Sequence, residues 1–192
     1  TLQSISPSAF SGCNELETIV LPQTLQTIGT NAFKNCISLK YVVLPDSVTT
    51  ISDFAFKGCT QLQNIDLPNN LQKIGDGAFS GCSALTNVEL PESLMAVGEY
   101  TFSECPLREM NIPSNISTLP AGIFANCLLL ESITIPEGVT EIEYWALYNC
   151  ENIKEIKLPS TLLCIDRQAF EGCVRLRKIV NLSDVELKAE TH

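Results

Sequence analysis

Residues 39 to 59 read LKYVVLPDSVTTISDFAFKGC, and a close copy, LQNIDLPNNLQKIGDGAFSGC, occupies residues 62 to 82. The pattern continues in both directions, and its most regular marker is a cysteine. Successive members of this column lie 23, 23, 23, 23, 22, 23 and 23 residues apart: Cys13, Cys36, Cys59, Cys82, Cys105, Cys127, Cys150 and Cys173. A nearly fixed period of this length is typical of a solenoid, in which each repeat forms one turn, here called a rung.

Two further columns mark the predicted inward side of each rung. A large apolar residue stands three positions before the cysteine: Phe10, Phe33, Phe56, Phe79, Phe102, Phe124, Leu147 and Phe170. A mostly small residue precedes it: Ala9, Ala32, Ala55, Ala78, Thr101, Ile123, Ala146 and Ala169. A single repeat has too few apolar residues to enclose a core, so each rung must bury its apolar side against its neighbours. Strands roughly 4.7–4.9 Å apart would then give a stack on the order of 34 Å long.

The remainder of the repeat predicts a strand, the end of that strand and a single helical turn. Val42 and Leu44 alternate with outward Tyr41 and Val43, which indicates one short strand per repeat. The proline that follows ends the strand, because proline cannot donate to a continuing ladder. Helix-start chemistry comes next, with Ser52 as a possible N-cap, so we expect a single helical turn in each rung.

Two columns suggest special backbone positions. The residue before each cysteine is Gly or Asn, both of which tolerate a left-handed conformation, except at Glu104. That exception adjoins the one repeat of 22 residues, where we expect a local irregularity. Glycines also recur at positions such as Gly75, but Pro120 occupies this column in a later repeat, which favours a cap or a close backbone approach over a positive φ.

Composition limits the classes of partner. The chain has 12 Lys plus Arg against 22 Asp plus Glu, a net charge of −10, which argues against nucleic acid as the main partner. The longest purely apolar runs, such as residues 127–130, are far shorter than the roughly 18 residues that span a bilayer. We therefore expect a protein partner and no membrane insertion of this segment.

Catalytic and metal-binding patterns are missing from the sequence. There is no CxxC, and the single histidine is the terminal His192, which nothing would hold in a fixed orientation. The carboxylates of Asp66 and Glu89 fit a solvated acidic surface better than a glycosidase pair. The ladder cysteines should be buried, reduced thiols, with Cys164 outside the ladder. The sequence thus predicts no enzyme activity, no cofactor and no metal.

The outward strand positions are the candidate protein-binding residues, because they are free of core packing on a rigid surface. Those selected are Tyr41, Asn64, Asp66, Asn87, Glu89 and Glu109, together with a basic patch at Lys154, Lys157, Arg177 and Lys178. Tyr100 and Trp145 are added because interfaces favour such aromatic anchors, although they could instead cover the adjoining rungs.

The repeat, LxxIxLPxxLxxIgxxAFxgC across residues 39–59, resembles the BspA-like, or treponemal-type, leucine-rich repeat. The resemblance implies a leucine-rich-repeat solenoid of the α/β class, a right-handed curved stack of about eight rungs with short parallel strands and single helical turns. Residues 1–182 would form one domain, and 183–192 a C-terminal cap or tail. Departures include Leu147 for Phe and Ile123 for Ala.

The same resemblance implies a cell-surface or secreted protein, often bacterial and sometimes from protozoan parasites, that adheres to host matrix proteins or to other cells. The alternative is a structural spacer within a larger surface protein, without a ligand of its own. Residues 1–10 supply only the back half of a repeat, so we expect a longer array, in preference to a dimer contact, and a monomer. A signal peptide and an anchor are expected outside this sequence.

Overall fold

The computed structural model describes residues 2–182, so the predicted cap or tail at 183–192, including His192, lies outside the described residues. The described part is a solenoid of parallel strands. In chain order the strands are β1 (Ser4–Ile5), β2 (Thr18–Val20), β3 (Thr27–Ile28), β4 (Tyr41–Val43), β5 (Thr50–Ile51), β6 (Asn64–Asp66), β7 (Lys73–Ile74), β8 (Ala96–Val97), β9 (Glu109–Asn111), β10 (Thr118–Leu119), β11 (Ser132–Thr134), β12 (Glu141–Ile142), β13 (Glu155–Leu158), β14 (Cys164–Ile165) and β15 (Lys178–Asn181).

These strands form two ladders on different sides of each rung. The front ladder contains the predicted strands β2, β4, β6, β9, β11, β13 and β15, and its register shifts by one repeat at each step, as in Val42 opposite Ile65. The second ladder contains the two-residue strands β1, β3, β5, β7, β8, β10, β12 and β14. The prediction of a parallel-strand solenoid is confirmed, but the prediction of one strand per repeat missed the second ladder.

The predicted single helical turns were wrong, because the third side of each rung consists of tight turns and the described residues contain no helix. In the second rung Asn31 and Asn35 both have positive φ, at 56° and 58°, which interrupts any right-handed helical run. The amide N–H groups of Phe33 and Asn35 donate to carbonyls of the next rung, each at 2.7 Å. Rung-to-rung hydrogen bonds thus replace the bonds of a helix.

The phenylalanine column forms the predicted core. Consecutive rings from Phe10 to Phe124 are stacked, with centroids 5.2 to 6.0 Å apart and interplanar angles of 10° or less. The fully buried members are Phe33, Phe56, Phe79, Phe102 and Phe124. The apolar residues of successive rungs belong to one continuous cluster, so each rung does bury its apolar side against its neighbours.

The cysteine column lies beside the rings and is free of disulfides. Each thiol from Cys36 onward donates to the carbonyl of the core residue one rung earlier, at 3.0 to 3.2 Å. Burial raises the pKa of the Cys59 and Cys105 thiols to about 12, so they are protonated at neutral pH. The prediction of buried thiols fails at Cys13, which is exposed, and at Cys173, which is half-buried.

The two special backbone columns behave as predicted. Every residue before a ladder cysteine has positive φ, and even Glu104 adopts it, at 62°. Gly75, in the second column, has no positive φ, but a Cβ atom there would lie 2.5 Å from the backbone nitrogen of Asp53 in the preceding rung. At Gly75 this column marks a close approach between rungs, and its lack of positive φ allows Pro120 to stand in it.

The short repeat does produce an irregularity. In the front ladder Asn64 bridges to Asn87, and no strand pairing joins Asn87 to β9 in the described part of the chain. The second ladder is also divided, into one sheet of five strands that ends at β8 and one of three strands that starts at β10. Both interruptions lie next to the rung shortened at Cys105.

Candidate protein-binding face

The front ladder presents two columns of outward side chains, and these columns together with the residue immediately before each strand are here called the strand-ladder face. Along β4, β6, β9 and β11 the pattern of exposure is exposed, buried, exposed, because successive residues of a strand point to opposite sides. Parallel pairing then aligns equivalent residues of neighbouring rungs. The first column is Thr18, Tyr41, Asn64, Asn87, Glu109, Ser132, Glu155 and Lys178; the second is Val20, Val43, Asp66, Glu89, Asn111, Thr134, Lys157 and Val180.

The N-terminal end of this face is apolar. Val20 and Val43 are 95% and 73% exposed and lie side by side in the register of β2 and β4. Tyr41 is half exposed, and its hydroxyl donates to Oε1 of Gln63 at 3.0 Å. Only Tyr41 was among the predicted site residues. The alternation of buried and outward residues already placed Val43 on this surface, and it places Val20 there in the same way, but neither valine was selected as a candidate binding residue.

The middle of the face is acidic and rich in amides. Asn64 pairs with Asn87, which places Asp66 and Glu89 in one column on neighbouring rungs. Asp66, Glu89 and Glu109 are all exposed, and none of them forms an ion pair within residues 2–182. Like charges in neighbouring strands repel each other, so this region favours a cationic counterpart.

The basic end is smaller than the sequence suggested. Nζ of Lys178 lies 2.8 Å from Oε1 of Glu155, which neutralises one of the four predicted cations. Lys154, Lys157 and Arg177 are exposed and make no ion pair with another described residue. Hydrogen bonds from the side chain and backbone of Ser160 lower the pKa of Glu137, and Lys157 contributes to the same shift.

Two more ion pairs join neighbouring rungs beside the strands, Lys40 with Glu17 at 2.9 Å and Arg108 with Glu131 at 3.1 Å. Like the Lys178–Glu155 pair, each links residues one repeat apart, because the register aligns them. All three pairs are solvent exposed, and exposed pairs contribute only about 0–1 kcal/mol. The three pairs therefore affect the charge pattern of the face more than they affect the stability of the fold.

The predicted aromatic residues lie apart from the strand-ladder face, in the turns on the third side of the rungs. Tyr100 and Trp145 are half-buried and have positive φ, at 52° and 59°. The Tyr100 ring covers Gly122 of the next rung so closely that a Cβ atom there would overlap it. Trp145 stacks on Tyr144, with centroids 4.4 Å apart, and contacts Tyr148. This geometry supports the interpretation of Tyr100 as cover for the adjoining rung, whereas these ring contacts of Trp145 lie within its own rung.

Comparison with known proteins agrees with the repeat geometry. The family model for the BspA type leucine-rich repeat region matches in six copies, over residues 3–129 and 117–188. The chain belongs to the BspA-type leucine-rich-repeat family. No curated protein matches this BspA-type chain.

Several crystal structures share the fold. A leucine-rich repeat protein of T. pallidum is 29% identical with a TM-score of 0.73, and the match covers 91% of this chain and 72% of that one. A leucine-rich cell surface protein of Faecalibacterium prausnitzii is 29% identical with a TM-score of 0.52, covering 92% and 62%. A leucine-rich repeat protein of Bacteroides ovatus is 26% identical with a TM-score of 0.69, covering 94% and 59%. The BspA-type chain thus spans less than two thirds of the last two proteins.

The second ladder of the BspA-type solenoid carries a group of side chains that the sequence did not reveal. Possible metal-ligand atoms of Glu141, Cys164 and Asp166 all lie within 4.8 Å of one another. Desolvation and the two neighbouring carboxylates raise the pKa of the Cys164 thiol. The residues come from adjacent rungs, and only the register of β12 and β14 brings them together.

Within residues 2–182 no helix is long and apolar enough to cross a membrane.

Proposed function

We propose that this BspA-type segment is a non-catalytic protein-binding module of a cell-surface or secreted protein, and that it adheres to host or matrix proteins or to other cells through the strand-ladder face. The observation that carries the proposal is the pair of aligned outward columns. Their exposed side chains have no part in the core, so they can contact a partner without disturbing the fold.

The character of the face supports a protein partner. Its apolar end, with Val20, Val43 and Tyr41, offers area whose burial would be favourable, while the acidic middle and the basic end offer charge complementarity. The net charge of −10 disfavours a nucleic-acid partner. A surface location is supported by the similarity to the leucine-rich cell surface protein of F. prausnitzii.

The experiment is surface capture of the purified chain by a panel of immobilised matrix proteins, with variants in each region of the face. One variant combines Lys154→Glu, Lys157→Glu and Arg177→Glu, a second combines Asp66→Lys with Glu89→Lys, and a third combines Val20→Ser with Val43→Ser. Lys73→Glu is the matched control, because Lys73 is also exposed but lies on the second ladder. We expect at least one face variant to lose binding while the control keeps it. Binding that survives in all three face variants would reject the strand-ladder face.

A structural spacer is the second candidate, and the three ion pairs within the solenoid favour it. Each pair satisfies charges of the face internally, as between Glu155 and Lys178, and leaves fewer groups for a partner. A spacer would bind nothing in the panel. In both cases we expect a monomer, which light scattering of the purified chain can test.

A further inference from the structure

The second ladder contains a split that is independent of the strand-ladder face. Elsewhere in this ladder, one backbone hydrogen bond recurs at the five steps from β3 to β8 and from β10 to β14. The amide of Ser52 donates to the carbonyl of Ile28 at 2.9 Å, and that of Gly75 to Ile51 at 2.8 Å. The same bond is made by Gly98, Glu143 and Asp166, at 2.8 to 2.9 Å. The step from β8 to β10 lacks it.

Pro120 explains the missing bond. It occupies the position of these donors, but proline has no backbone N–H, so the carbonyl of Val97 receives no donor. Among residues 2–182, no group accepts a hydrogen bond from the amides of Ser117 and Thr118. None donates one to the carbonyl of Met95 either. In the third rung the equivalent amides of Thr49 and Thr50 share the carbonyl of Gln26, at 2.9 and 3.3 Å. The split therefore leaves two donors and two acceptors of the backbone unpaired.

A cleft of about 350 Å³ lies between the two halves of the ladder. Its lining combines apolar groups, including Met95, Val97 and Pro120, with the carboxylates of Asp76, Glu99 and Glu143. Met95 is 70% exposed at its mouth. The lining contains no basic side chain, so its net charge is negative. The carboxylates of Asp76 and Glu143 each accept one backbone N–H, whereas the Glu99 carboxylate makes no hydrogen bond within residues 2–182.

We propose that this cleft is a docking site for an extended peptide segment of another protein that carries a lysine or arginine side chain. Free donors and acceptors on strand edges are the groups to which an added strand binds, and they recognise a peptide backbone rather than an isolated cation. The apolar lining receives the side chains beside the basic residue. The basic side chain itself meets the carboxylates, led by that of Glu99, which supply the charge preference.

The test uses the full chain and a defined probe, the capped peptide acetyl-Thr-Val-Lys-Val-Thr-amide, with a glutamate replacing the lysine in a matched peptide. Amide shifts of Ala96 and Thr118 are followed by NMR during titration. We expect saturable shifts with a dissociation constant on the order of 0.1–1 mM, and about tenfold weaker binding of the glutamate peptide. Absence of saturable shifts with the lysine peptide, or equal affinity for both peptides, would overturn the proposal.

Pro120→Gly is the decisive variant, because glycine occupies this column in three other rungs and restores the missing donor. We expect it to close the split, to slow hydrogen exchange of the Thr118 amide and to weaken the lysine peptide about tenfold. Unchanged peptide affinity in a variant whose Thr118 amide has become protected would contradict the proposal.

Glu99→Gln tests the charge without touching the backbone, so the proposal stays testable if the glycine variant does not fold. It should weaken the lysine peptide about two- to fivefold, as expected for an exposed ion pair. No change in Kd would show that Glu99 is not the anchor of the basic side chain. The face variants described above should bind the peptide normally, so failure of this site and failure of the strand-ladder face are distinguishable.

Discussion

Replacing Phe56 by alanine should destabilise the protein strongly, because Phe56 is fully buried in the ring stack. Its ring lies 5.2 Å from that of Phe33 and 5.5 Å from that of Phe79, with interplanar angles of 7° and 1°. A buried Phe→Ala change costs about 3–5 kcal/mol, and the two aromatic contacts, each worth about 0.5–1.5 kcal/mol beyond area burial, place Phe56 in the upper part of that range. We therefore expect a loss of about 4–5 kcal/mol in the free energy of unfolding, or roughly 8–20 °C in Tm.

The assay is urea unfolding followed by circular dichroism and by fluorescence of Trp145, with Phe54→Asn as the matched control two residues away. Phe54 is 36% exposed with φ of 57°, and asparagine already holds this column at Asn31. Relief of a left-handed strain of about 1–2 kcal/mol should offset most of the lost ring contact, so the control should change stability by no more than about 1 kcal/mol. Equal effects of the two substitutions would refute the stacked core.

Other expectations follow from the thiols and the glycines. A thiol reagent should label Cys13 and Cys164 at once in the folded protein, since both are exposed, and rapid labelling of Cys59 would contradict its burial. Burial raises the pKa of the Cys59 thiol from 9.0 to about 12 in the folded protein. The protonated thiol therefore makes its full contribution to stability below pH 9. That contribution is lost as pH rises to about 12, so Cys59→Ala should flatten the alkaline fall in stability by about 1.4 kcal/mol per pH unit. Gly75→Ala should cost about 1–3 kcal/mol in urea unfolding, because its new Cβ meets backbone. Gly12→Ala, with open space around its Cβ, should cost only about 1–2 kcal/mol of left-handed strain; the reverse order would contradict the close approach.

The core could be predicted because the repeat period determines which residues contact each other. Once the rungs stack, residues 23 positions apart must become neighbours, so the column that contains Phe33 and Phe56 could only be a row of rings. The second ladder was not predictable in this way. Its strands have two residues each, as at Thr50–Ile51, which is too short for a period-two pattern.

The turns were misread because their polar residues resemble a helix start. Ser52 and Asp53 would suit the first turn of a helix, but Phe54 follows with positive φ, which ends any right-handed run. An aromatic residue gives no sequence signal for that conformation, whereas Asn31 and Gly77 in the same column do. Reading the column as a whole would have indicated a turn.

The sequence predicted which residues point outward on the strand-ladder face, but it predicted the charge pattern of that face only in part. Alternation placed Asp66 and Lys157 outward, as observed. The pairing of Glu155 with Lys178 depends on the register between rungs, which a single repeat does not reveal. The sequence shows Pro120 as an exception in the column that contains Gly75. Its effect on the second ladder was not predictable, because it depends on which carbonyl of the neighbouring rung loses its donor.

Chemical footprinting of the complex formed with a captured matrix protein tests the central claim most directly. Lysine acetylation is measured by mass spectrometry in the free and bound states. Lys154 and Lys157 should lose reactivity on binding, while Lys73, exposed on the second ladder, should keep it. Protection of Lys73 with unchanged labelling of Lys154 and Lys157 would contradict binding through the strand-ladder face.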